Sequence, residues 1–475
     1  MRPRIGPDGG SRRKPDRPVT PPRFKRGRIA AFAETRRTFA LTPPARLSAA
    51  IEVLADIAGR RRPAADALKD WGLAHRFAGS GDRAAIASLV YDALRRRASA
   101  AWIMDSESPR ALLVGMLRLQ HGLAVPTIAG LFSGERFAPE PLSDHERARL
   151  ADATLAQAPA HVAGDVPEWV LPALETTFGD ALLEELRALG RRAPLDIRIN
   201  TLKHSRESAM AGLAHLAPAT TPHAPNGLRI PIGEDGRGPA LHVEPEFLDG
   251  WYEIQDEGSQ LASLLSGAKP GETVIDLCAG GGGKTLSLAA MMGNDGRLVA
   301  SDDDPRRLAP IHERLRRAGA KAEIRTPRGG RARTDVLGDL DGTVDRVLVD
   351  APCTGSGTWR RNPDAKWRMR PGALAARVGE QAAVLDRAAL LVRPGGRITY
   401  VTCSLIPDEN DGAVAGFLAR TGGAFAVVPA ADVVAAQKPD LAPFLRFTGH
   451  GLQMSPALTG TDGFYVATLE RRPAG

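Results

Sequence analysis

The stretch TVIDLCAGGGGKT, residues 273–285, decides how the second half of this chain reads. Thr273 to Cys278 is a short β-rich run. Gly280, Gly281, Gly282 and Gly283 come next, and Lys284-Thr285 open a helical pattern. Glycines let a backbone turn tightly and approach a ligand closely. A helix start offers free N–H groups and a positive dipole end. The run is not a P-loop, because Cys278 would stand where that motif has its first glycine, and it fits G-x-G-x-x-G only loosely. Alone, a glycine run is equally a plain tight turn. The downstream sequence gives it weight: RLVASD, AEIR, RVLVDA and RITYVTC are further β-rich runs, mostly separated by helical stretches. That alternation predicts a parallel, doubly wound α/β sheet. Ligands in such sheets bind beyond the carboxyl ends of the strands, where the strand order reverses.

The rest of the chain bounds its surroundings. With 475 residues it divides into two to four domains. A net charge of +8 favours a polyanionic partner, either nucleic acid or an anionic membrane surface. No apolar run is long enough to cross a bilayer, and the arginine-rich start lacks the apolar core of a secretory signal. Three cysteines argue against a disulfide framework and for a reducing compartment, so a cytoplasmic location is expected. No cysteine–histidine spacing suggests zinc, so no metal site is expected.

Four segments are expected. Residues 1–41, rich in Arg, Lys, Pro and Gly, read as a disordered basic tail. Residues 42–160 read as an all-helical domain. Leu47, Ile51, Leu54 and Ile57 recur at helical spacing, Asp82 is placed to cap the helix of Ile86 to Leu94, and Ser108-Pro109 starts another. Arg95-Arg96-Arg97 ends a helix, where it either meets phosphate or complements the dipole in solvent. Residues 166–250 form a small α/β module, with strands at LDIRI and GLRIPI and a helix after Ser205. Residues 251–475 carry the doubly wound sheet.

All three cysteines fall at carboxyl ends of expected strands: Cys278 after the first, Cys353 after the fourth, Cys403 after the fifth. A core cysteine more often lies in mid-strand, so position tilts towards function. Asp302 ends the second strand about twenty residues after the glycines, where such folds bond a ribose diol. Asp303 and Asp304 are equally placed to cap a helix before Pro305. Asp335 follows the third strand in a basic loop and is expected to face an adenine amino group.

The segments DLCAGGGGKT, VLVDAPCTGSGTWRRNPDAKW, TYVTCSLIPDEN and GTDGFYVA resemble the motifs of RsmB/Sun-type RNA (cytosine-5) methyltransferases. APLDIRINTLK and YEIQDEGSQLAS are similar to that family's segments upstream of its catalytic domain, and the helical region resembles its NusB-like RNA-binding domain. One departure is Gly280-Gly281, where the family usually has Ala-Pro. The resemblance implies a Rossmann-like domain and S-adenosylmethionine as methyl donor. It places Cys278, Ala279, Gly280, Gly281, Gly282, Gly283 and Lys284 around that cofactor, with Asp302 at its ribose, Asp335 at its adenine and Asp350 near its methionine part. It implies Cys403 as nucleophile and Cys353 in product release.

Carbon 5 of cytosine is a poor nucleophile until a thiolate adds to carbon 6, which makes the ring an enamine. A carboxyl group near ring nitrogen 3 assists as an acid, and Asp350 is the candidate. Chemistry alone does not decide which thiol attacks. Lys284 is placed to stabilise a thiolate or to pair with Asp350, while Lys366 and Arg361 are expected on RNA phosphate. The expected substrate is small-subunit ribosomal RNA, with transfer RNA second. A catalytically idle RNA-binding assembly factor is the alternative of a different class, and a monomer is expected.

Overall fold

A helix begins at Pro43 because Thr42 Oγ1 accepts the amide of Ala45 while Pro43 and Pro44 fill the first turn. It runs to Arg60 and buries Leu47, Ala50, Val53, Leu54 and Ile57 on one face. The computed structural model describes residues 40–233, 236–327 and 335–473. The expected basic tail lies almost wholly outside these residues, as does most of the loop at 325–334.

Helices continue from Pro43 to Ala163 around a single apolar cluster that includes Ile86, Val90, Leu113 and Met116. Ser108 caps the helix Pro109–Leu119 by accepting the amide of Ala111. Asp82 is not a cap. The helix Ser80–Arg95 starts after Gly79, and buried Asp82 instead accepts Arg46 Nη2 at 2.9 Å and the Leu41 amide at 3.1 Å.

The next strands form a four-stranded sheet in the order β2-β3-β1-β4: β1 (Leu195–Ile199), β2 (Ala219–Thr220), β3 (Gly227–Ile230) and β4 (Tyr252–Ile254). The strand β4 pairs with β1, so the module extends past the expected boundary at residue 250. Its helices Leu171–Phe178 and Leu182–Leu189 pack on Trp359, Leu405 and Ile406, which belong to the cysteine-bearing loops further along the chain.

The large sheet has nine strands. These are β5 (Thr273–Asp276), β6 (Arg297–Ser301), β7 (Glu323–Arg325), β8 (Val344–Asp350), β9 (Val392–Thr402), β10 (Phe425–Val428), β11 (Arg446–Phe447), β12 (Leu452–Met454) and β13 (Phe464–Arg471). The order is β11-β12-β13-β9-β8-β5-β6-β7, with β10 also paired to β13. Strands β5 to β9 pair in parallel, and β13 joins β9 antiparallel. The order reverses at β5, which has β6 on one side and β8 on the other, so a crevice opens there beyond the strand ends. The fold is thus a Rossmann-like α/β domain preceded by a small α/β module and a helical region.

Lys366 and Arg361, expected on RNA phosphate, and Arg95, left open between phosphate and solvent, are instead engaged by other parts of the protein. Arg95 is 4% exposed, and its Nη1 donates to the Arg360 carbonyl at 2.8 Å. Lys366 is 3% exposed, and Nζ donates to the Arg95 carbonyl at 3.2 Å. Burial pushes the Lys366 ammonium down to about 7. Arg361 pairs with Asp256 and Asp462, which also hold buried Arg360. These groups lock the helical region, the β1–β4 module and the catalytic segment together. Removing one partner of a buried pair strands the other charge. Asp462→Ala should therefore lower the unfolding free energy by about 3–5 kcal/mol, read from the urea midpoint.

Candidate active site

Strand β5 delivers the glycine loop to the reversal point. Gly280 and Gly282 take φ of +50° and +84°, and a Cβ on Gly282 would overlap Ile311. Gly280 thus occupies a left-handed conformation that alanine adopts only under strain. The loop is held from two sides. Asp302 Oδ2 accepts the Gly280 amide at 3.0 Å, and Arg198 of β1 donates to the Gly283 carbonyl at 2.8 Å. The small sheet therefore buttresses the loop.

Beside the loop lies a cavity of about 750 Å³. Cys278, Asp302 and Asp335 line it, as do Asp303, Asp304 and Pro352. Ala279 and Gly280 to Gly283 form the adjoining turn between β5 and the helix Gly283–Met291. Asp302 is buried at the end of β6 and also accepts the Asp304 amide, whereas Asp304 caps the short helix Pro305–Leu308. Asp335 caps the Leu337 amide and pairs with Arg387 at 3.0 Å. Arg307, Arg377 and Arg387 reach the same cavity from helices, and nothing local in the sequence marked them.

At the other end of the crevice, β8 ends at Asp350 and β9 at Thr402, so neighbouring parallel strands present Cys353 and Cys403 together. Their sulfur atoms are 3.4 Å apart. That hydrogen bond, with burial, pushes the Cys353 thiol well above its ordinary range. Lys284 Nζ donates to Asp350 Oδ2 at 2.7 Å. Burial alone would lower the lysine's affinity for its proton. The charge and hydrogen bond of Asp350, with the charge of Cys403, outweigh burial and leave it raised. Of the two roles open to Lys284, pairing with Asp350 is the one formed.

The two cysteine loops are tied by residues to which the sequence alone assigned no role. Buried Glu409 accepts the Thr354 amide at 2.7 Å, Thr354 Oγ1 and Ser404 Oγ at 2.5 Å, and Gln381 Nε2 at 3.2 Å. Gln381 also donates to the Pro352 carbonyl at 2.9 Å. Gly357 donates to the Cys403 carbonyl at 2.9 Å, and a Cβ there would overlap the Gly463 carbonyl. Gly357 thus permits loop-on-loop packing. Glu409 falls within the TYVTCSLIPDEN segment, where its place six residues after a strand-end cysteine is the available signal.

Asp276 opens the DLCAGGGGKT segment, yet the sequence alone assigned it no role. It is fully buried at the end of β5, accepts Thr285 Oγ1 at 2.7 Å, and among the described residues keeps Oδ1 without a hydrogen-bond partner. Burial pushes its carboxyl up to about 7. Between the ordinary carboxyl range and pH 7 the folded state therefore holds a proton that the unfolded chain has lost. This carboxyl makes stability fall as pH rises through that window and level off above it. Asp276→Asn removes the slope. The melting temperature of the variant relative to the parent should rise from pH 4 to pH 7 and then stay constant.

The chain matches known proteins along most of its length. A family model described as 16S rRNA methyltransferase RsmB/F matches residues 263–470, and an RsmF/B-like ferredoxin-like domain matches residues 166–233. The ribosomal RNA small subunit methyltransferase B of Klebsiella pneumoniae is 30% identical over 82% of this chain and 90% of its own. The probable ribosomal RNA small subunit methyltransferase B of Synechocystis is 38% identical, over 53% of this chain and 56% of its own. The crystal structure of PH0851 superposes with a TM-score of 0.68 at 25% identity, covering 91% of this chain and 100% of that one. With the glycine loop and the paired thiols in one matched segment and strands β1 to β3 of the small sheet in the other, the chain belongs to the RsmB/F family of S-adenosylmethionine-dependent methyltransferases.

Proposed function

We propose that this protein methylates carbon 5 of a cytosine in small-subunit ribosomal RNA through a covalent adduct with Cys403. The observation that carries the reading is the 3.4 Å approach of two reduced sulfur atoms beside the Lys284–Asp350 pair. One such thiol suffices for a nucleophile. Two in contact suit a reaction in which a bond to sulfur is made and then undone. The ribosomal substrate is supported by the names of the Klebsiella and Synechocystis relatives.

The cavity suits S-adenosylmethionine. Its carboxylates match hydroxyl and amino donors and a positively charged sulfur, and the glycine turn lets backbone amides approach. Asp302 would hold the ribose, Asp335 the adenine and Asp350 the methionine end, with Cys278, Ala279 and Lys284 around them. The bound cofactor supplies an electrophilic methyl group.

The chain's own groups do the rest. With Cys353 taken as the donor of the sulfur–sulfur hydrogen bond, the attacking group is Cys403. Its sulfur bonds to carbon 6, and the ring's 5,6 π pair moves to carbon 5. The Lys284 ammonium supplies a proton, which Asp350 relays to ring nitrogen 3. After carbon 5 has taken the methyl group, its remaining proton must leave. The charge that held Cys353 protonated vanishes once Cys403 is bonded to carbon. Cys353 then ionises more readily, giving its proton to solvent, and takes the carbon 5 proton in turn. The 5,6 double bond re-forms, nitrogen 3 returns its proton, and the Cys403–carbon bond breaks.

With these roles the two cysteine substitutions should fail differently. Cys403→Ala should give neither methylation nor adduct. Cys353→Ala should leave protein bonded to RNA through denaturing electrophoresis, in a band that ribonuclease removes, and the double variant should behave like Cys403→Ala. An adduct confined to Cys403→Ala would reverse the roles. Bisulfite sequencing of RNA from cells with and without the gene identifies the target, and a changed cytosine only in transfer RNA would move the substrate. For the cofactor, Asp302→Ala should weaken S-adenosylmethionine binding by about 1–3 kcal/mol, and Asp304→Ala by less, in calorimetric titrations.

A further inference from the structure

A second groove lies away from the thiols, where the helical region meets the short helix Pro363–Arg368. It consists of two adjoining cavities of about 560 and 750 Å³, which share Arg97, Glu107 and Trp367. The larger end is aromatic. Trp102 is 40% exposed there, and half-buried Trp169 and Trp367 line the same space. Arg97 lies 5.4 Å from the centre of the Trp367 ring, while the Trp367 indole N–H is anchored on the Leu94 carbonyl at 2.6 Å. The smaller end is basic. Arg61, Arg97, Arg368 and Arg370 line it with two acids. Those acids are already matched, Glu107 by Arg97 and Asp364 by Arg368. Among the described residues Arg61 and Arg370 have no carboxylate partner, and both are exposed.

We propose that this groove binds single-stranded RNA next to the target cytosine. Unpaired bases stack on Trp102 and Trp169, and the phosphates run past Arg61 and Arg370. A row of aromatic faces beside a basic track is how unpaired strands are held without sequence readout. Asp105 and Glu168 line the aromatic end, so bases rather than phosphates face the tryptophans. The groove is linked to the chemistry along the chain. The segment that begins at Cys353 ends at Trp367, Arg368 and Arg370, so strand and target engage one stretch of chain. This inference rests on the RNA methyltransferase reading above.

The test is anisotropy of labelled RNA on the full chain, with an unpaired oligonucleotide and the matching duplex, across a salt series. The parent protein should prefer the unpaired strand. Trp102→Ala, whose side chain is exposed, should weaken that binding about tenfold and shrink the preference over duplex. Arg61→Ala with Arg370→Ala should lower the slope of log affinity against log salt by about 1 to 1.5, two phosphate contacts' worth on a single strand. Cofactor affinity and melting temperature, read on each variant, should stay at parent values. Parent-like affinity, strand preference and salt slope in both variants would overturn the groove and leave the methyltransferase reading standing. A parent protein that binds no RNA would overturn both. If light scattering instead showed a dimer of the parent that Trp102→Ala dissolves, with RNA affinity unchanged, the groove would be a contact between copies and the proposal would fail.

Discussion

The Glu409 carboxylate is the contact on which the geometry of the thiols depends. It lies outside both cysteine loops, has no exposed surface, and is satisfied entirely by groups from those loops and from Gln381. Burial pushes its pKa up, and the bonds from Ser404, Thr354 and Gln381 pull against that push. A buried acceptor with several donors has little freedom to move, because losing any one leaves a polar atom unpaired in low dielectric. Thr354 and Ser404 each directly follow a cysteine. Holding both neighbours on one carboxylate sets the separation of the sulfur atoms more firmly than either loop could alone.

Around that clamp, the charges form a layered arrangement. The Lys284–Asp350 pair joins the glycine loop to β8, and Arg198 joins it to the small sheet. Further out, Arg360 and Arg361 share Asp256 and Asp462, drawing the segments on either side of the catalytic sheet towards the Cys353 loop. Buried ion pairs of this kind cost desolvation and contribute little net stability when intact, yet are expensive to break. Their effect here is to make the position of the helical region and of the small sheet depend on the same residues that frame the thiols.

Much of this was legible in the chain. Strands β5, β6, β8 and β9 announce themselves by short apolar runs leading into aspartate or cysteine, and those endings carry the site because parallel sheets open at their carboxyl edge. What escaped reading was partnership across long separations. Lys366 and Arg361 look like free loop charges, since the carbonyl of Arg95 and the carboxylates of Asp256 and Asp462 lie far away in sequence. Asp82 has the residue type of a cap, yet Arg46 claims it from another helix. Asp276 reads as one more strand-end acid, and only the packing shows that it is sealed from water.

The place of β13 bears on how the site is made during synthesis. This strand lies between β9 and β12, and the turn before it supplies Asp462 to the arginines and Gly463 to the face of Gly357. Yet it comes after Cys403 by roughly 60 residues in the chain. At about 5–20 residues per second, a ribosome completes both cysteine loops several seconds before the strand that braces them. During that interval β9 is an open edge and the Cys353 loop lacks its counterweight. A nascent chain therefore carries its reactive thiols before it can hold them in register, and the enzyme becomes competent only when β13 has docked.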